Sequence, residues 1–374
     1  MVIRSILIFA LFVSFAIFNS AEGAKILSIF PYSGPSQYIF ISPLLKALAE
    51  RGHEVTSIST FPQKKPLKNF RDVVVMENSK IFDEMVTELA AGEGAEKSFF
   101  EEFMELSNVP LCPNMIEVGG LHIKQKPDPL EEDLQKFLDN SPEGVIYFSM
   151  GSNVKSKDLP PQTLKDILST FAELKIKVLW KFELEELPNK PANVVIRKWF
   201  NQPSILAHPN VKLFISHGGY LSTTETIFHG KPILGVPVMG DQFMNVKNSV
   251  KAGFALRLDL RSLTKEKFKQ NIQELWTNPK YSNAVKKLSK RFRDQPLTPI
   301  ETAIFWVEYV LRHDGASHIR NAGQDLSFWQ YHNIDVYVIL SSFIVVVFVL
   351  MAVFISFVKK IICGSSKKSK IKKN

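Results

Sequence analysis

The chain has 374 residues, 45% of them apolar and 22% charged, with a net charge of +9. Its 29 Phe and 5 Trp exclude a disordered chain, and its two cysteines, Cys112 and Cys363, exclude a disulfide scaffold. Seven lysines beyond residue 358 carry most of the charge and leave +2 for residues 24–335, which excludes a nucleic-acid-binding surface on the body.

Residues 1–23 read as a signal peptide: Arg4 supplies the positive start, 6–18 the apolar core, and Ala21-Glu22-Gly23 the small residues a signal peptidase reads. The apolar run 25–30, a helix over 39–50 with Ile41, Leu44, Leu45, Leu48 and Ala49 on one face, and a strand over 53–58 form a βαβ unit. A third strand is expected at 72–76 and acidic helix over 80–108, broken at Ala90 to Gly94. Residues 109–142, with Pro110, Pro113, Pro127, Pro129 and Pro142, read as a linker.

A longer α/β series fills 143–315. Strands are expected at 145–149, 177–182, 194–198, 211–216, 232–236 and 254–258. The helices between and after them fall at 161–174, 203–207, 221–229, 242–252, 264–276, 280–292 and 299–312. Apolar strands alternating with amphipathic helices predict a parallel sheet covered on both faces, with ligands bound at the C-terminal ends of its strands. By contrast, 24–108 holds only three strands, where a complete domain of this kind needs five or six.

After a juxtamembrane segment, 316–335, residues 336–358 carry no charge over a length sufficient to span a bilayer. Lys359 and Lys360 follow at once, so the positive-inside rule places the 359–374 tail in the cytosol and the body in a lumen. The tail ends Lys370-Ile371-Lys372-Lys373-Asn374, similar to the dibasic retrieval signal of endoplasmic-reticulum membrane proteins, and Cys363 is a candidate for palmitoylation.

Chemistry concentrates in 199–242. His217 ends an apolar strand, and Gly218 and Gly219 let the backbone approach a ligand. Ser222 and Thr223 stand at the next helix start, where free N–H groups favour a pyrophosphate. Glu225, one turn in, can accept from two ribose hydroxyls; Asp241 and Gln242 can bind a polyol; Trp199 offers a stacking face for a base. Each has a simpler role when taken singly: Asp241 and Ser222 as N-caps, Glu225 as a solvated residue, Trp199 as core, His217 as a packed ring. Their recurrence at the ends of successive strands favours the site.

The succession Trp199-x-x-Gln202, His208-Pro209, His217-Gly218-Gly219-x-x-Ser222-x-x-Glu225, Gly230-x-Pro232 and Asp241-Gln242 resembles the signature of the UDP-glycosyltransferases. Residues 109–374 are similar to the animal, membrane-anchored branch, and Gly34-Pro35-Ser36-Gln37-Tyr38 and Gly119-Gly120-Leu121-His122-Ile123 to its insect members. The resemblance implies an α/β, GT-B-like fold of two Rossmann-like lobes, the N-terminal one truncated, plus one C-terminal transmembrane helix. It implies UDP-glucose or UDP-glucuronic acid as co-substrate with no separate cofactor or metal, and inverting transfer to a small lipophilic acceptor, as in detoxification. It also implies the endoplasmic-reticulum membrane as location and homologues as oligomeric partners.

Carried over, Trp199 and the Phe200 backbone face the uracil, Gln202 the uridine and Glu225 the ribose. Ser152, His217, Gly219 and Ser222 hold the diphosphate, and Asp241 and Gln242 the sugar. Asn201 replaces the signature's usual Pro, and Leu221 an Asn found in some members. Gln37 stands where the family's catalytic His is expected, and glutamine cannot accept a proton. The segment carrying the Asp that orients that His is missing between the family-like start, 24–95, and the junction near Pro110. Two functions follow as expectations: a UDP-glycosyltransferase with impaired catalysis, or a non-catalytic, membrane-anchored UDP-sugar-binding isoform that pairs with complete homologues. A lumenal binding protein of unrelated role is disfavoured by the 199–242 constellation.

Overall fold

The computed structural model of the chain describes residues 23–30, 35–75, 115–320 and 322–371. The expected signal peptide, the acidic helix over 80–108 and Cys112 lie outside them. The described residues fall into two bodies, one ending at Gly315 and one made of Met115 and the residues from Ala316 onward.

The first body opens with β1 (Lys25–Phe30), α1 (Pro35–Glu50), β2 (Glu54–Ser59) and β3 (Phe70–Val74), whose strands pair in parallel in the order β1-β2-β3. α1 begins four residues earlier than expected because proline is well suited to a first helical turn. β3 lies two residues earlier than expected. One face of this small sheet packs Leu45, Leu48, Ala49 and Val55 into a core. The opposite face leaves Leu27 61% and Ile29 58% exposed.

α2 (Glu132–Asp139) follows, within the stretch expected to be linker. It forms because Leu134 and Leu138, one turn apart, bury one side of an otherwise charged segment. The second sheet then runs β4 (Val145–Ser149), α3 (Pro161–Leu174), β5 (Lys177–Lys181), β6 (Val194–Arg197), α4 (Gln202–Ala207) and β7 (Val211–Ser216). It continues with α5 (Tyr220–His229), β8 (Ile233–Gly235), α6 (Gln242–Lys251), β9 (Ala255–Arg257), α7 (Lys265–Thr277), α8 (Pro279–Arg293) and α9 (Pro299–Arg312). All six strands are parallel, in the order β6-β5-β4-β7-β8-β9. Each expected strand and helix of this series is present, within two residues at its ends.

Alternation along β4 explains the two-faced core. Ile146 and Phe148 join Trp180, Phe171 and Phe268 on one side, and Val145 and Tyr147 join Leu179, Phe214 and Phe200 on the other. The buried Trp180 donates its indole N–H to Ser156 Oγ at 3.1 Å, so the largest core side chain leaves no polar atom unsatisfied.

α9 runs from the second sheet to the small one. Its Val307 packs on the Leu45–Val55 core, and Glu308 accepts from Arg51 Nη2 at 2.9 Å and faces His53 Nε2 at 3.6 Å. Arg51 holds the Glu308 carboxyl below the usual carboxylate range. His53, which precedes β2, also accepts from the Ala24 N–H.

The second body contains α10 (Phe328–Tyr331), opened by a Ser327/Gln330 capping box, and α11 (Ile334–Ile371). Ile334–Lys360 of α11 is the one helix among the described residues long and apolar enough to cross a membrane, and none of its apolar stretch is buried within the molecule.

Candidate functional site

The strand order places a reversal of winding between β4 and β7: connections from β4 run one way through β5 and β6, and those from β7 the other way through β8 and β9. Helices cover opposite faces on either side of such a point, so a crevice opens above the strand ends. Ser149 and Ser216, the last residues of β4 and β7, are register partners at its floor. The Met150-Gly151-Ser152 loop leaves one strand and His217-Gly218-Gly219 the other, leading into α5.

His217 is buried and stands over the floor, with Nδ1 3.5 Å from Ser216 Oγ. Burial, reinforced by the nearby Lys181 charge, pushes its pKa down to about 4, so the ring is neutral at neutral pH. Gly219 is the N-cap of α5, and the first backbone N–H groups of that helix face the crevice end of the sheet. Ser222 is the third residue of α5 and buried, so it serves as no N-cap.

Gln202, the first residue of α4, reaches across to α5. Its amide nitrogen donates to Ser222 Oγ at 3.0 Å and to Glu225 Oε2 at 2.6 Å. The second Glu225 oxygen lies 3.4 Å from His122 Nε2, and both side chains are buried. Gln202, Ser222 and Glu225 therefore form one connected group rather than three separate surface residues.

At the start of α6, Gln242 Oε1 accepts from the N–H groups of Val238 and Met239 in the loop after β8, at 2.9 and 3.0 Å, which fixes the amide and leaves its NH2 group as the available donor. Asp241 makes no capping hydrogen bond. Its Oδ2 accepts from Asn245 at 2.8 Å, and the same Asn245 amide donates to the Gly218 carbonyl at 3.0 Å. Asn245 is absent from the signature motif, and its only mark in the sequence is a spacing of four from Asp241 on a helix.

Trp199 follows β6 and is 60% exposed, with Lys181 Nζ 5.8 Å from its ring centre. The Phe200 side chain turns inward, edge-on to Tyr147 at 5.9 Å, so only its backbone borders the crevice side. Ser152 Oγ lies 3.2 Å from Ser36 Oγ at the start of α1. Gln37, the next residue, is exposed. His208 of the His-Pro pair is engaged elsewhere: Nε2 lies 3.1 Å from Asp139 of α2, and Lys231 donates to its carbonyl. Among the described residues, no three His, Cys, Asp or Glu side chains are grouped to hold a metal ion.

A family model described as UDP-glucoronosyl and UDP-glucosyl transferase matches residues 63–369. The chain is 42% identical over 269 residues to UDP-glucosyltransferase 2 of Dactylopius coccus, covering 71% of this chain and 51% of that protein. It is 36% identical over 262 residues to UDP-glucuronosyltransferase 2B13 of Oryctolagus cuniculus, covering 70% and 49%. The chain thus spans about half the length of the curated relatives it matches. Among solved structures, a UDP-glucose: anthocyanidin 3-O-glucosyltransferase in complex with UDP superposes with a TM-score of 0.59 at 13% identity, over 78% of this chain and all of that one. The spinosyn forosaminyltransferase SpnP does so with a TM-score of 0.54 at 15% identity, over 77% of this chain and 99% of that one. These likenesses show the GT-B fold.

Proposed function

The chain belongs to the UDP-glucoronosyl and UDP-glucosyl transferase family, and from that premise we propose that its larger lobe binds a UDP-sugar whose hexose is destined for a hydroxyl of a small lipophilic acceptor. The observation that carries this reading is the Gln202–Ser222–Glu225 group beside His217, at the point where the sheet reverses its winding. The carboxylate takes the ribose hydroxyls, and the α5 N-terminus takes the diphosphate with His217 and Ser152. Trp199 stacks on the uracil, and Asp241 with the NH2 group of Gln242 holds the hexose. His217 meets the diphosphate as a neutral N–H donor, because burial keeps it uncharged.

In the transfer step the acceptor oxygen passes its proton to a base, or to solvent water where no side-chain base is at hand, and attacks the anomeric carbon. The bond from that carbon to the diphosphate oxygen breaks, with inversion. The electron pair leaves on UDP, where the helix N-terminus stabilises the developing charge. No proton acceptor is available at Gln37, and this favours a second reading: donor binding with poor transfer, in a subunit that works beside complete homologues. Calorimetric titration with UDP and a sugar-transfer assay on the same detergent-solubilised sample separate the two. Binding with turnover supports the enzyme, binding without it the second reading, and absence of UDP binding refutes both.

We assign the chain a single-pass orientation in the endoplasmic-reticulum membrane, with the body in the lumen and the Lys-rich end in the cytosol. The uncharged run of α11 followed by Lys359 and Lys360 supports it. Protease added to intact microsomes should remove only the tail; cleavage within 199–242 without detergent contradicts this orientation.

A further inference from the structure

His122 makes no hydrogen bond to the residues of the nucleotide site. It follows Gly119-Gly120-Leu121 in a turn packed against α5, where a Cβ on Gly119 would meet the Tyr220 hydroxyl at 3.4 Å. Its side chain is 2% exposed, and both ring nitrogens are sealed from solvent without a hydrogen-bond partner among the described residues. Phe40 of α1 closes over it, with ring centres 6.3 Å apart and planes tilted by 51°. A leucine or phenylalanine would fill such a hole with no polar atom to satisfy, so packing alone does not account for an imidazole there.

The polar group that the ring faces is Glu225. Nε2 stands 3.4 Å from Oε1, while Gln202 holds Oε2 at 2.6 Å. A movement of about half an ångström brings the imidazole nitrogen into ordinary N–H···O range. A carboxylate offers about four lone-pair sites. With one on Oε2 taken by Gln202 and one on Oε1 by His122, a single site remains on each oxygen. Two sites side by side are what a vicinal diol requires.

We propose that His122 is a positioning residue for ribose recognition: its Nε2–H holds Glu225 from the side opposite Gln202 and turns the carboxylate toward the 2′- and 3′-hydroxyls of the nucleotide. The proposal rests on the reading of Glu225 as the ribose acceptor. It ties the shortened lobe to the donor site, since Phe40 of α1 sets the tilt of the ring that aims the carboxylate.

The test is calorimetric titration of the full chain in detergent with UDP, 2′-deoxy-UDP and inorganic pyrophosphate, for the wild type, His122→Leu, His122→Gln and His122→Asn. The wild type should prefer UDP to 2′-deoxy-UDP. His122→Leu should weaken UDP about tenfold and bring that preference close to one, with pyrophosphate unchanged. His122→Gln, whose amide nitrogen sits near the place of Nε2, should keep the preference, and His122→Asn, whose donor sits nearer Nδ1, should lose it. A His122→Leu chain that binds pyrophosphate normally and retains the wild-type preference overturns the proposal. If His122→Leu does not fold, the Gln and Asn pair decides, and equal behaviour of the two overturns it. A wild type that binds UDP and 2′-deoxy-UDP equally removes the ribose reading of Glu225, and the role of His122 with it.

Discussion

A Cβ placed on Gly151 would lie 2.4 Å from Cε1 of His217. One on Gly219 would lie 2.7 Å from Nε2 of the same ring. The imidazole is therefore held between two stretches of backbone, one leaving β4 and one leaving β7, and its position is set by the absence of side chains on both. Gly151 also adopts φ +83°, a region costing an alanine about 1–2 kcal/mol before any clash. Gly151→Ala should lower the melting temperature and weaken UDP at least tenfold, by displacing His217. Thermal melting and titration on one preparation check this; wild-type UDP affinity in a folded Gly151→Ala chain excludes His217 from the diphosphate site.

Gln202→Leu removes two hydrogen bonds at once, to Ser222 and to Glu225, and leaves a buried carboxylate oxygen without its donor. Bonds to a charged partner contribute about 1.5–3 kcal/mol, so UDP affinity should drop roughly tenfold to a hundredfold. Glu225→Ala should act in the same direction. Glu225→Ala should leave binding of pyrophosphate, which has no ribose, unaltered. An equal loss for both ligands would show that the group supports the fold of α5.

His217 and His229 both have their pKa pushed down to about 4, chiefly by burial. In the unfolded chain each would take a proton near pH 6.5, while the folded chain refuses it until about pH 4. Unfolding takes up protons between these limits, so the stability tied to neutral rings is complete above pH 6.5 and is lost as pH falls toward 4. For the buried His217 the loss grows toward the acid end, a depression of this kind being worth about 1.4 kcal/mol per pKa unit. Melting temperatures recorded from pH 7.5 to 4.5 should fall steadily below 6.5, and His229→Gln should flatten that fall. A profile unchanged by the substitution means that His229 takes its proton in the folded chain at ordinary pH.

Gln37 occupies the first turn of α1, next to the Ser36 hydroxyl that meets Ser152. Gln37→His adds a titratable base at that turn without touching the nucleotide contacts. General-base catalysis is worth ~10²–10⁴-fold, so sugar transfer should rise by about two orders of magnitude at unchanged UDP affinity. No gain in transfer, with UDP binding intact, would locate the deficit in the acceptor side of the small lobe. Turnover by the unmodified chain near ~10 s⁻¹ would require a different base.

The second sheet was legible because its strands are largely apolar runs ended by a polar or glycine residue, as strands buried on both faces are, with β7 interrupted only by the exposed Lys212 near its start. Trp199 and His217 are legible by the same logic, since they follow strand ends, while Gln242 opens the helix beyond the loop after β8. The connections within the site were not legible. Nothing in sequence spacing says that Gln202 bridges to an acid 23 positions later, or that the oxygen of Gln242 is consumed by the backbone of Val238 and Met239. α2 escaped notice because Leu134 and Leu138 are its only buried residues, amid charges and flanking prolines. His122 was noticed as part of a motif, but its burial depends on Phe40 and Glu225, both far away in sequence.

The pairing of Arg51 with Glu308 spans 257 positions, and Val307 completes the core of Leu45, Leu48, Ala49 and Val55. At synthesis rates of about 5–20 residues per second, roughly 13–50 seconds separate the emergence of the two partners from the ribosome. Throughout that interval the first three strands lack Val307 against their core and the counter-charge of Glu308 for Arg51. The part of the body made first is thus among the last to reach its final packing, because the residues that close its core and balance its charge lie on α9.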